Sequence, residues 1–76
     1  MKIQITQSDI DGAGTDNFNC PIARAIKRTF NSSVGYAVLC HCSVNDTIYT
    51  LDKAGIEFIR RLCDGKKLVP TEIEII

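Results

Sequence analysis

Across residues 2–6, Ile3 and Ile5 alternate with Lys2, Gln4 and Thr6. An apolar–polar period of two marks a strand with one buried face. A polar stretch follows at 7–19 (QSDIDGAGTDNFN), rich in Asp, Asn, Ser and Gly. It reads as a loop longer than most connections in a compact domain, with Ile10 and Phe18 pinning it to the body. At 20–31 the spacing changes. Ile22, Ile26 and Phe30 recur every four residues, which predicts a helix with one buried stripe. Pro21 suits its first position, where the missing N–H costs nothing, and Asn31, Ser32 and Ser33 end it. Arg24, Lys27, Arg28 and Asn31 fall on its outer face.

Residues 34–42 (VGYAVLCHC) alternate again. They predict one strand, with Val34, Tyr36, Val38, Cys40 and Cys42 on one face and Gly35, Ala37, Leu39 and His41 on the other. A Val-Asn-Asp turn at 44–46 leads to a third strand at 47–51, so the pair reads as a hairpin. A second helix is predicted at 52–64, with Leu51, Ala54, Phe58, Ile59 and Leu62 as its apolar stripe. Asp52 in the first turn suits the helix dipole, and Gly65 is placed to end the helix in a left-handed conformation. Pro70 precedes a last strand, TEIEII, in which Ile73 and Ile75 alternate with Glu72, Glu74 and Ile76.

The expected order is therefore β-α-β-β-α-β, in one small α+β domain spanning 1–76. Both terminal strands have a polar face, so the helices are expected to cover only the other. That describes a ferredoxin-like sandwich, an antiparallel sheet in the order 4-1-3-2 with two helices on one face. A small meander with differently placed helices is the alternative.

With 76 residues, a domain buries only about 60% of the surface its unfolded chain exposes. A homo-oligomer would relieve that shortage. Hydrophobic residues make up 45% and charged residues 24%, a globular balance that excludes disorder. Nine Lys and Arg offset nine Asp and Glu, so the overall field attracts neither nucleic acid nor a membrane. No apolar run near residue 1 is long enough for a signal peptide or a span. The expectation is a cytoplasmic protein with free thiols at Cys20, Cys40, Cys42 and Cys63.

Candidate chemistry is sparse. The four cysteines and His41 are a zinc set on paper, but strand geometry points His41 away from Cys40 and Cys42, and no Cys-x-x-Cys knuckle is present. Cys20, at a helix N-terminus, has the position of an activated thiol without a base placed beside it. Asp9, Asp11, Asp16, Asn17 and Asn19 offer oxygen ligands without calcium-loop spacing, and turn chemistry accounts for them. Gly12 and Gly14 are not followed by the Lys of a phosphate loop, although loop N–H groups beside a helix start suit an anion. The sheet lacks the stacked aromatics of an RNA reader; Tyr49 is the one ring that could be exposed there, and with Leu39 and Ala37 it reads instead as part of a dimer contact or the rim of the core. No cofactor is expected. The coherent signal is basic. Arg24, Lys27, Arg28, Arg60 and Arg61, with Lys66 and Lys67, lie on or after the two helices, and their outer faces would form one positive surface. Together with Asp11, Asp16 and Asn17 of the long loop, these residues are the candidate binding set, for an acidic protein patch or a phosphate-bearing ligand.

One resemblance extends over most of the chain. Cys20-Pro21-Ile22-Ala23, Val34-Gly35, Phe58-Ile59, Asp64-Gly65 and Pro70 resemble a group of small proteins of bacteriophage and prophage genomes. That group shows a CPIA-type helix start, a VG step, an A-x-x-FI helix, a D-G turn and a Pro before the final strand. The chain departs from it at Asp52, where proline is usual, and at Cys63, where an aromatic is usual. The matched positions are caps, turns and core. The resemblance implies a phage accessory protein working in the host cytoplasm. It would act by non-catalytic binding, either inhibiting a host defence protein or, as an oligomeric sponge, sequestering a signalling nucleotide. A cysteine-dependent enzyme or a metal-binding module is the remaining class.

Overall fold

The computed structural model describes residues 1–14, 18–32, 35–38 and 41–76. Its elements are β1 (Lys2–Ile5), α1 (Gln7–Asp11), α2 (Pro21–Thr29), β2 (Gly35–Ala37), β3 (His41–Val44), β4 (Thr47–Thr50), α3 (Lys53–Cys63) and β5 (Thr71–Glu74). The chain is α+β, and all its strand pairs are antiparallel.

Local chemistry sets the helix ends. Thr6 caps α1 reciprocally: its Oγ1 accepts the Asp9 N–H at 3.2 Å, and Asp9 Oδ2 accepts the Thr6 N–H at 2.9 Å. Cys20 caps α2, its Sγ accepting the Ala23 N–H at 3.4 Å, with Pro21 following in the first turn. Asp52 is the cap of α3 rather than a first-turn residue, Oδ1 accepting the Gly55 N–H at 2.9 Å. α2 and α3 end alike. Asn31 (φ 52°) and Gly65 (φ 71°) turn left-handed. The next N–H then reaches back five residues, from Ser32 to Lys27 O and from Lys66 to Arg61 O.

Two expectations are corrected here. The stretch 7–19 is not all loop, because the Thr6–Asp9 box nucleates α1. The run 34–42 is not one strand. It reverses between Ala37 and His41, where the Val38 N–H donates to His41 O at 2.9 Å. Cys42 consequently shares a face with Gly35 and Ala37, not with Tyr36 and Val38. Val34, Leu39 and Cys40 lie outside the described residues, as does Ser33.

The register defines a single inner face. Residues directly opposite one another on paired strands point the same way. Ile3↔Ile73, Ile75↔Leu51, Cys42↔Tyr49, Val44↔Thr47, Gly35↔Val44 and Ala37↔Cys42 therefore align their side chains on one side. Ile3, Ile5, Ile73, Ile75, Leu51, Cys42, Val44 and Ala37 are buried there, in one cluster with Ile22, Ala23, Ala25 and Ile26 of α2 and Phe58 and Ile59 of α3. The outer face carries Lys2, Gln4, Tyr36, His41, Ser43, Ile48, Thr50, Glu72 and Glu74.

The strand order also differs from the ferredoxin-like one. β1 pairs with β5, and β2, β3 and β4 form a second sheet. A bridge at Leu51–Ile75 joins the two, flanked by reciprocal Thr50–Ile76 bonds (2.8 and 3.0 Å). The last strand, not the first, thus sits beside the strand at 47–50. The free side of β1 is met in part by a side chain. Met1 and Ile75 exchange backbone bonds, so by antiparallel alternation the carbonyl of Gln4 faces away from β5. Arg28 fills that position, Nη2 donating to Gln4 O at 2.7 Å.

Candidate functional site

The basic residues of α2 stand where sequence reasoning put them, on one face at i, i+3 and i+4, but each is tied to the segment before the helix. Arg28 Nη2 donates at 2.7 Å both to Gln4 O and to Asp9 Oδ2. Lys27 Nζ donates to Phe18 O at 2.7 Å. The Arg24 guanidinium lies against Gly12, where a Cβ would come within 2.5 Å of Nη2, and its Nη1 is 3.5 Å from Asn19 Oδ1. The Gly14 N–H donates to Asn19 O at 2.9 Å, which closes the loop that the three cations hold down. A Cβ at 12 would meet only the flexible end of the Arg24 side chain, which would have to shift to make room.

Between α1 and α2 these residues leave a surface cleft of about 420 Å³, lined by Thr6, Ser8, Asp9, Arg24, Lys27 and Arg28. Asp9 is only 5% exposed. Burial pushes its carboxyl up, but hydrogen bonds from Arg28 and Thr6 outweigh burial and hold it below its ordinary value. Asp9 in turn raises the Arg28 guanidinium through the same hydrogen bond. Arg24 Nε is buried with no hydrogen-bond partner among the described residues.

The basic residues expected to form one positive surface do not all line this cleft. Arg61 lies on α3 with its Nε 3.6 Å from Glu57 Oε1. It lines a separate, largely apolar groove of about 270 Å³ with Ala54, Phe58, Leu68, Val69 and Thr71. Arg60, Lys66 and Lys67 are exposed and line neither. Asp11 ends α1, its Oδ1 accepting from Gln7 Nε2 at 2.8 Å. Asp16 and Asn17 lie outside the described residues.

The thiols have different surroundings. Cys20 and Cys42 are buried and Cys63 is exposed. Burial pushes the Cys42 thiol up to about 11, and Cys20 is occupied as a helix cap. His41 is on the outer face of β3, opposite Cys42. Among the described residues no group of three or more His, Cys, Asp or Glu is arranged to hold a metal ion. No described helix is long and apolar enough to cross a membrane.

The sequence did not reveal an apolar patch on the outer sheet face. Tyr36, Ser43 and Ile48 stand in one row across β2, β3 and β4. Phe18 packs on Tyr36 with ring centroids 5.6 Å apart. Phe18 and Ile48 remain 61% and 67% exposed, while Ser43 between the larger side chains is 8% exposed. Tyr49 faces inward against Phe30 at 5.9 Å and packs at the rim of the core. The reversal between Ala37 and His41 leaves Tyr36 on the outer face, and no residue pattern announces it. The hydroxyls and carboxylate of the cleft were legible in principle, since Thr6-x-x-Asp9 is a helix-start signature.

No family model, curated protein or solved structure matches this chain.

Proposed function

We propose that this protein works by non-catalytic binding, as a phage-type accessory protein that inhibits a host defence protein in the cytoplasm. The observation that supports it is the row of half-buried Tyr36 and exposed Ile48, with exposed Phe18 packed at a tilt against Tyr36. Exposed aromatic and aliphatic side chains on a rigid sheet are the composition of protein-binding hot spots. The contact is thereby assigned to the sheet face rather than to the basic helix face. The polar groups do not favour catalysis: Cys20 is committed to a cap, Cys42 is held as a thiol, and Arg28 and Asp9 neutralise each other. The test is capture of a host protein by the purified chain, with the native mass measured alone and in the complex. Ile48→Arg and Phe18→Ala should release the partner while leaving the melting temperature within a few degrees. Retention by both variants would remove the sheet face from the proposal.

A second reading is the oligomeric sponge for a phosphate-bearing signalling nucleotide. One observation favours it: the cleft gathers Arg24, Lys27 and Arg28 around a single carboxylate. It requires near-stoichiometric thermal stabilisation by one nucleotide and a native mass above that of one chain.

A further inference from the structure

We infer that the α1–α2 cleft binds the phosphoryl end of a small phosphate ester, held by Arg24, Lys27 and Ser8, with Arg28 kept in place by Asp9 as a fixed wall. This shares its site with the sponge reading and specifies the ligand group. It does not require the base or the oligomer.

The argument is one of unused donors and unbalanced charge. Three cations line the cleft against one carboxylate, leaving a formal excess of two positive charges that matches a phosphate dianion. Lys27 uses one of its three N–H groups on Phe18 O. Arg28 commits only Nη2 to Gln4 and Asp9. The Arg24 guanidinium lines the cleft; its Nε is buried, so the donors left for a ligand are its Nη groups. A guanidinium offers paired N–H groups that match a tetrahedral oxyanion. Ser8, which also lines the cleft, adds a neutral hydroxyl. A single phosphate does not fill about 420 Å³, so a sugar or short chain attached to it has room. Among the described residues no aromatic ring lines the cleft, so none of them stacks on a base.

The experiment titrates the full chain with inorganic phosphate and, separately, with a nucleoside monophosphate at constant low ionic strength, reading amide shifts and heat. Potassium chloride is the control. Saturable one-to-one binding of phosphate is expected, with shifts confined to Ser8, Gly12 and Arg24–Arg28. Lys27→Gln and Arg24→Gln should each weaken it roughly tenfold, and Arg60→Gln should leave it unchanged. If either cleft variant fails to fold, as judged by circular dichroism, localisation of the shifts in the unsubstituted protein decides. Shifts spread equally over Arg60, Lys66 and Lys67, or reproduced by chloride, overturn the inference. Phosphate binding with no gain from the nucleoside supports the phosphoryl site and removes the sponge. Failure of phosphate with success of the nucleotide overturns the site as drawn while leaving the sponge intact.

Discussion

Replacing Asp9 by alanine removes two bonds at once, and the structure sets the size of the loss. The first is the acceptor for the Thr6 N–H at 2.9 Å, half of a capping box, worth about 1 kcal/mol. The second is the 2.7 Å contact with Arg28. A buried charge-assisted bond contributes about 1.5–3 kcal/mol, but the Arg28 side chain is 49% exposed, and solvent screening reduces the figure to about 1 kcal/mol. Asp9→Ala should therefore cost about 2 kcal/mol, out of roughly 4–11 kcal/mol for a domain this small. In a thermal melt followed by circular dichroism this is a fall of about 8–16 °C. Asp9→Asn keeps a cap acceptor and loses the charge, so it should cost about half as much. The pH dependence gives a second readout. The folded Asp9 carboxyl titrates below its ordinary value of 3.8. Its stabilisation is thus complete above the unfolded pKa and is lost as pH falls through the folded one. Asp9→Asn should match the unsubstituted protein most closely at the acid end and fall furthest behind near neutrality. A change below about 2 °C for Asp9→Ala, or a gap independent of pH, would refute the claim that this carboxylate fastens α1 to α2.

Two further outcomes test the core and the thiols. Ile26 is fully buried in the central stripe of α2, so Ile26→Ala should cost about 2–5 kcal/mol and leave the protein partly unfolded at 37 °C, as a urea titration would show. With iodoacetamide at pH 7.5, Cys63 should react in the native protein, while Cys20 and Cys42 should react only after denaturant is added. Mass spectrometry of the quenched digest reads this directly, and early labelling of Cys42 would contradict its burial.

The helices were legible because their information is local. Cys20-Pro21 opens α2, Asp52 opens α3, and Gly65 closes it, each through atoms within a few residues. The inner strands were half legible. Ile3, Ile5, Ile73 and Ile75 reveal their faces by alternation, but alternation says nothing about which strand lies beside which. The placement of β5 depends on the Leu51–Ile75 bridge, a contact between residues 24 apart with nothing in their side chains to mark it. The reversal after Ala37 was hidden because Val38, Leu39 and Cys40 continue the apolar run, and β-forming residues look alike whether the chain goes on or turns back. The bonds made by the basic residues were hidden for a related reason. Sequence shows where a cation sits on a helix but not what it holds, and Lys27 and Arg28 spend their first bonds on the backbone carbonyls of Phe18 and Gln4. The apolar row of Tyr36 and Ile48 exists only once two hairpin registers are fixed.

The bond from Arg28 to the Gln4 carbonyl has a meaning beyond stability. A bare strand margin is a template on which neighbouring molecules can stack. Arg28 occupies one of the few open rungs on that margin, and the Asp9 carboxylate keeps it there. Replacing Arg28 by alanine would uncover that rung, and turbidity of a concentrated solution is the readout of the exposed edge.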